Sequence, residues 1–435
     1  MLWPLVILMA LGVVCTNYLD IDAGVLTGVG GTAVLLMYVS YRRNTSITLL
    51  LYLNSFIIGL WYGELYSKLV PDNNVTGTVD GKRQVRHHIS ESVVSIEKVL
   101  RESGVSKEHC ALLNVMMLGD RSGLDKSQKA LFRQGGAQHL LALSGLHIGI
   151  FLTLLNLLFL RRVRFHSWRW PVLGITLFLL WYYAIMVGLP KSLLRAMLMT
   201  TIFLIGQFLY RPDSGSNVLA MTVFAMLAID PRCVFDVGAQ LSVSALVGLV
   251  FFSPSLKIPT RHKIDKYFRS KMRRHFVKNL WLEIARRSAI LLRSVVVLFW
   301  VSFSASMFTA PLVVYYFHQF QPWQSIVSVV LIPLTSFILY LAVFVVLVCA
   351  IGLQSVTFLL SSILDWLMDL QDSVLRFSAS LPYSSIVGCD VSLLNVVLLY
   401  ALLFFLLRVL RSRTITSLSS SAISCAVVLL LLFYF

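Results

Sequence analysis

Apolar segments long enough to cross a lipid bilayer recur along almost the whole chain, and this decides what it can fold into. A hydrocarbon core of ~30 Å needs about twenty consecutive apolar residues in a helix. Stretches near 2–19, 23–41, 46–63, 137–160, 168–188, 191–210, 216–229, 238–252, 289–317, 324–350, 391–409 and 418–435 meet or approach that length. Of the 435 residues, 57% are hydrophobic and only 13% are charged, whereas a soluble domain carries about a quarter of its residues as charges. The pattern predicts an all-α polytopic membrane protein with about 11–13 transmembrane or re-entrant helices and a small extracellular segment. The first stretch has no basic n-region, so it reads as a first span and not as a cleavable signal. The 216–229 candidate is short, while 289–317 and 324–350 are long enough to kink or re-enter.

Charge orients these spans. The formal net charge is +17, and basic residues collect after alternate spans: Arg42 and Arg43, then Arg161, Arg162, Arg164 and Arg169, then Arg211, then a run over 257–287. That run holds eleven Lys or Arg against Asp265 and Glu283. Positive loops stay inside, which places the N-terminus inside. The run itself reads as a positive-inside loop, with contact to a polyanion or anionic lipid as a further role. The longest polar stretch, 64–136, falls outside and is nearly balanced, eleven Lys or Arg against nine Asp or Glu. Within it, 91–102 has the pattern of a short amphipathic helix. Over 353–380 a polar stripe of Ser361, Asp365, Asp369, Asp372 and Arg376 suits a helix lying in the interface. Six scattered cysteines form no C-x-x-C pair and point to neither a disulfide framework nor a thiolate metal site. The organisation expected is a three-helix membrane segment (1–63), an outer segment with amphipathic helices (64–136), a membrane core (137–410) and a C-terminal membrane helix (411–435).

Polar groups inside spans are costly and mark functional sites. At the outer end of the fourth span, Ser144 and His147 are three apart and neighbours on one helix face; His139 lies two turns earlier. They pack helices together or line a path. Lys191 and Arg195 follow Pro190, where a helix begins, and share a face; a helix N-terminus with two cations favours phosphate, although both side chains can also snorkel to the interface. Asp236, Gln240 and Ser244 form a one-turn stripe, with Ser242 between them, which serves equally as glue between helices. Aromatics at Tyr315, Tyr316 and Phe317 form an interfacial belt or a surface for stacking bases. No Walker A loop occurs and none of the nine histidines stands in an H-x-H-x-D-H cluster, so neither ATP hydrolysis nor a bound metal or other cofactor is expected.

Taken together, these groups resemble the ComEC family of competence membrane proteins. The likeness is carried by Leu118-Gly119-Asp120-Arg121-Ser122, the run from His139 to His147, Leu194-Arg195-Ala196, Asp230-Pro231, Gly238-Ala239-Gln240-Leu241-Ser242, and Tyr316-Phe317 through Pro333-Leu334. Ser328 departs from the family pattern, which has asparagine there, and Ala239 stands where a bulkier aromatic is usual. The resemblance implies a non-enzymatic channel of the bacterial cytoplasmic membrane that passes single-stranded DNA during transformation. The path would be lined by His139, Ser144, His147, Lys191, Arg195, Asp236, Gln240 and Ser242. It implies other competence proteins as partners: a DNA receptor and a cytoplasmic motor or strand-binding protein. Many members carry an OB-type domain in the outer loop and a C-terminal nuclease domain. Residues 64–85 are too few for the first, and the second has no counterpart before Phe435, so a separate nuclease is expected. Two other classes compete. One is an intramembrane hydrolase using Ser144 and His147, for which no G-x-S-x-G elbow is present. The other is a secondary transporter of a small anion, for which no inverted repeat is visible.

Overall fold

Helices make up nearly all of the computed structural model, which describes residues 2–16, 55–60, 62–63, 97–120, 123–142, 145–158, 169–209, 215–255, 258–271 and 276–411. In order they are α1 (Leu2–Thr16), α2 (Lys107–Leu118), α3 (Lys126–Gln134), α4 (Gly145–Leu158), α5 (Arg169–Met186), α6 (Lys191–Phe208) and α7 (Gly215–Ile229). Next come α8 (Val237–Val247), α9 (Arg261–Lys271), α10 (Phe276–Phe317), α11 (Gln324–Ile351), α12 (Gln354–Ser380) and α13 (Leu393–Arg411). A two-residue antiparallel ribbon joins β1 (Gln319–Phe320) to β2 (Ile386–Val387). The spans expected at 23–41 and 418–435, and part of that at 46–63, lie outside the described residues.

Two of these helices are long and apolar enough to cross a membrane, over Trp281–Phe317 and Gln324–Ile351. Each carries an internal proline, Pro311 and Pro333, which removes one backbone hydrogen bond and favours a bend. Apolar side chains also face outward. On α5, Phe178, Tyr182 and Ile185 are exposed one turn apart while Leu180 and Ala184 are fully buried. On α11 the exposed stripe runs Ile326, Val330, Phe337, Phe344 and Ile351. Apolar faces of this extent are tolerated in lipid and not in water.

The continuous helix expected from 137 to 160 is broken. Helix α3 ends in a Schellman closure: the Ala137 amide donates to the Phe132 carbonyl at 2.8 Å and the Gly136 amide to the Arg133 carbonyl at 3.3 Å. Gly136 takes φ +72°, a conformation that glycine adopts without steric cost. A 3-10 turn at Gln138–Leu141 follows, and α4 begins only at Gly145. The basic residues before 289, in turn, do not all lie in a loop: α10 starts at Phe276, and α9 precedes it. The helix expected over 353–380 is present as α12, but its stripe is divided, with Ser361 buried and Asp369 and Arg376 exposed.

The chain forms two units, the first comprising Met1–Leu124, Leu140–Val243 and Ala342–Ser362. Its core joins α4, α5 and α6 through Ile148, Leu155, Leu180, Leu193 and Met197, with Leu118 from α2. The nearly balanced charge of residues 64–136 conceals α2, whose Cys110, Leu112, Leu113, Val115 and Met116 are all fully buried. The Tyr183 hydroxyl donates to the Met117 carbonyl at 2.8 Å, and the ring stacks on Phe151 with centroids 4.7 Å apart. Near the N-terminus, Gly12 of α1 and Gly59 oppose each other's backbone. A Cβ on Gly12 would meet the Phe56 carbonyl oxygen, and one on Gly59 the Met9 carbonyl oxygen. Small residues give such close approach its dispersion energy. Gly12→Leu and Gly59→Leu are each expected to cost about 1–3 kcal/mol by forcing the backbones apart. A lowered melting temperature in detergent checks this.

The second unit comprises Asp125–His139, Ser244–Leu341 and Ile363–Phe435. After α8 the chain passes into a π-helical stretch, Gly248–Phe252, which packs on α10. A Cβ at Gly248 would lie 2.5 Å from the Ser304 carbonyl oxygen and 3.0 Å from the Phe308 ring. Phe252, Phe308 and Leu403 form the core here, bordered by Trp300, Phe303 and Tyr400. Close by, the Phe308 carbonyl accepts from both the Ser244 and the Tyr400 hydroxyls, the latter at 2.9 Å. Elsewhere in this unit, Arg133 donates to the Gln319 side chain at 3.0 Å, and Gln321 donates to the Arg133 carbonyl at 2.7 Å. These bonds tie α3 to the ribbon.

Candidate functional site: a carboxylate between two cations

The turn from α5 into α6 is unusual in backbone terms. Gly188 has φ +86° and Leu189 φ +49°, closing α5 through bonds to the Ile185 and Ala184 carbonyls, both 2.9 Å. A β-region conformation is the norm for a residue before proline, so a left-handed Leu189 is strained, and such strain gathers at functional sites. Pro190 follows with φ −58° and has no N–H to lose at a helix start. Lys191 and Arg195 then stand one turn apart on the first two turns of α6.

Asp236 faces both. It joins the 3-10 turn Pro231–Phe235 to α8 and caps α8: its carbonyl accepts from the Gln240 amide at 3.0 Å and its Oδ2 from the Ala239 amide at 3.1 Å. Aspartate is favoured there because its side chain satisfies an orphan amide. The same Oδ2 receives Arg195 Nη1 at 3.4 Å, while Oδ1 lies 3.8 Å from Lys191 Nζ. The Arg195 side chain is only 11% exposed and that of Lys191 is 72% exposed. Arg195 Nε is buried without a hydrogen-bond partner among the described residues. Gly238 borders the site: a Cβ there would stand 3.4 Å from Arg195 Nη2 and from Asp236 Oδ2, in ordinary contact with both. Two cations against one carboxylate leave a single net positive charge, and the arginine keeps donors to spare.

Of the residues expected to line a path, the structure brings together Lys191, Arg195, Asp236 and Gln240. The Gln240 side chain donates to the Val234 carbonyl at 2.9 Å, so it braces the turn that presents Asp236. Ser242 is partly buried farther along α8. His147 is buried on α4, which packs against α6. His139 is exposed on the 3-10 turn and falls in the other unit. The two-turn relation between the histidines, which assumed one continuous helix, does not hold. Ser144 lies outside the described residues. Spacing alone missed the pairing of Asp236 with both cations. Its place just before a helical run marks an N-cap, which foretells the cap and not the pairing. Among the described residues no three His, Cys, Asp or Glu side chains gather as metal ligands.

Long apolar helices with apolar outward faces are the mark of an α-helical integral membrane protein. The chain belongs to the Competence protein family, whose model matches residues 116–414 and takes in α3 to α13. It is 28% identical over 142 residues to ComE operon protein 3 of Bacillus subtilis (strain 168), covering 33% of this chain and 18% of that protein. It is 29% identical over 141 residues to the uncharacterized protein YcaI of Escherichia coli (strain K12), covering 31% of this chain and 18% of that one. The matched stretch thus spans less than a fifth of the length of either relative. No solved structure matches the chain.

Proposed function

We propose that this protein is a channel that passes single-stranded DNA across the bacterial cytoplasmic membrane during natural transformation. Membership of the Competence protein family supports a role in DNA uptake, and the Lys191–Asp236–Arg195 cluster is the observation that carries the channel reading. A strand crossing lipid must have each phosphate charge compensated. It must also leave each contact quickly, because a tight site would stall it. Asp236 meets both needs: it keeps the cations compensated between phosphates and competes with each phosphate that arrives. Arg195, with donors to spare, takes the phosphate while Asp236 keeps its bond from the Ala239 amide. Gln240 positions the carboxylate, and Ser144, His147 and Ser242 supply further polar contacts along the path. The protein acts as a conduit and not as a catalyst. A DNA receptor and a cytoplasmic motor or strand-binding protein supply the remaining steps.

The test is direct flux. Vesicles carrying the protein should admit a labelled single-stranded oligonucleotide, and deletion of the gene should end transformation by external DNA. Flux of small anions with none of DNA would make the protein a secondary transporter instead.

A further inference from the structure

The basic run at 257–287 has no part in the proposed conduit, yet α9 and α10 enclose a groove there of about 580 Å³. Its walls are apolar: Ile264, Tyr267 and Phe268 from α9, Leu292 and Val296 from α10. Lys263 stands at its exposed edge. Arg293 donates to the Pro259 carbonyl at 2.7 Å, which pins the approach to α9 against α10. The nearby carboxylates are already engaged. Asp265 is held by Arg286 at 2.6 Å and by Arg261 at 4.0 Å, and Glu283 is held by Arg286 and Arg287. Lys263 and Lys266, both exposed, make no ion pair among the described residues. The surface beside the groove is therefore net positive.

Its depth relative to lipid is set by the same elements. The candidate span of α10 starts at Trp281, in the same turns as Glu283, Arg286 and Arg287; Trp281 is exposed, as is Tyr267, and amphipathic aromatics sit at headgroup level. Leu291 and Leu292 beyond them are 68% and 65% exposed, so the groove opens where headgroups meet acyl chains. We infer that it seats one acyl chain of an anionic phospholipid, whose phosphate rests against Lys263 and Lys266. Basic pockets beside membrane helices attract such headgroups, and the apolar walls exclude a phosphate that brings no hydrocarbon with it.

The full chain, purified in detergent, is offered phosphatidylglycerol or phosphatidylcholine with identical acyl chains, and retained lipid is counted by native mass spectrometry. Wild type is expected to retain phosphatidylglycerol over phosphatidylcholine. K263Q/K266Q should lose that preference by roughly fivefold per lysine and keep its helicity by circular dichroism, since neither side chain is part of the core. A289W, which fills the groove, should lose both lipids. Equal retention of the two lipids by wild type, or an unchanged preference in K263Q/K266Q, would overturn the site. Displacement of phosphatidylglycerol by inorganic phosphate or by a single-stranded oligonucleotide would assign the lysines to free phosphate or to nucleic acid and overturn it equally.

Discussion

Arg195→Ala is expected to abolish uptake of external DNA while the protein still accumulates in the membrane. Removing one member of a desolvated charge pair costs about 2–5 kcal/mol, so transformation frequency should fall by about thirtyfold to several thousandfold. The fold survives because Asp236 keeps the Ala239 amide and Lys191 as partners. Asp236→Ala is the opposite case. It strips the counter-charge from an arginine that is only 11% exposed and uncaps α8, for a loss of about 1 kcal/mol from the cap and about 3 kcal/mol from the unpaired charge. Asp236→Asn separates these two duties, since asparagine also caps. It should hold an oligonucleotide more tightly than wild type and pass it more slowly, because the competitor for Arg195 is gone. Wild-type transformation by Arg195→Ala would remove the cluster from the path.

Gly248→Val is expected to prevent stable folding of the second unit. The added Cβ would meet the backbone oxygen of Ser304 at 2.5 Å, and a backbone carbonyl inside α10 cannot swing aside as a side-chain tip would. Overpacking costs about 1–3 kcal/mol, and the upper end applies here. Moving α10 away would also strain the Ser244 and Tyr400 bonds to the Phe308 carbonyl, each contributing about 1 kcal/mol. Against a total stability of about 5–15 kcal/mol, that loss should show as a large drop in melting temperature in detergent and in membrane accumulation. Gly248→Ala meets the same oxygen and should show the same change in milder form. An unchanged melting temperature in Gly248→Val would refute the close approach.

Hydrophobic periodicity located the apolar helices well, because apolar runs of this length have one stable outcome in lipid. The helices α5, α6, α7 and α11 begin and end close to where the residues predict, while α8 gives way at Gly248 to a π-helical stretch over the last five residues of the run expected to 252. The break after α3 was not legible, since it depends on Gly136 taking a left-handed φ and not on hydropathy. Nor was the burial of α2, whose flanking charges mask a strongly apolar run from Cys110 to Leu118. At the site, the facing of Lys191 and Arg195 follows from i, i+4 spacing alone. Their encounter with Asp236 is a tertiary fact, fixed by α7 and the 3-10 turn between them, which no local pattern encodes.

The tight turn at Gly188 and Leu189 leaves this region intolerant of length changes. Each residue added to or removed from a helix rotates the remainder of that helix by about 100°. A single-codon insertion between Pro190 and Lys191 would therefore swing both ammonium and guanidinium groups out of phase with their acidic partner, leaving every side chain present. In this family, gaps in that short connection should be far rarer than substitutions.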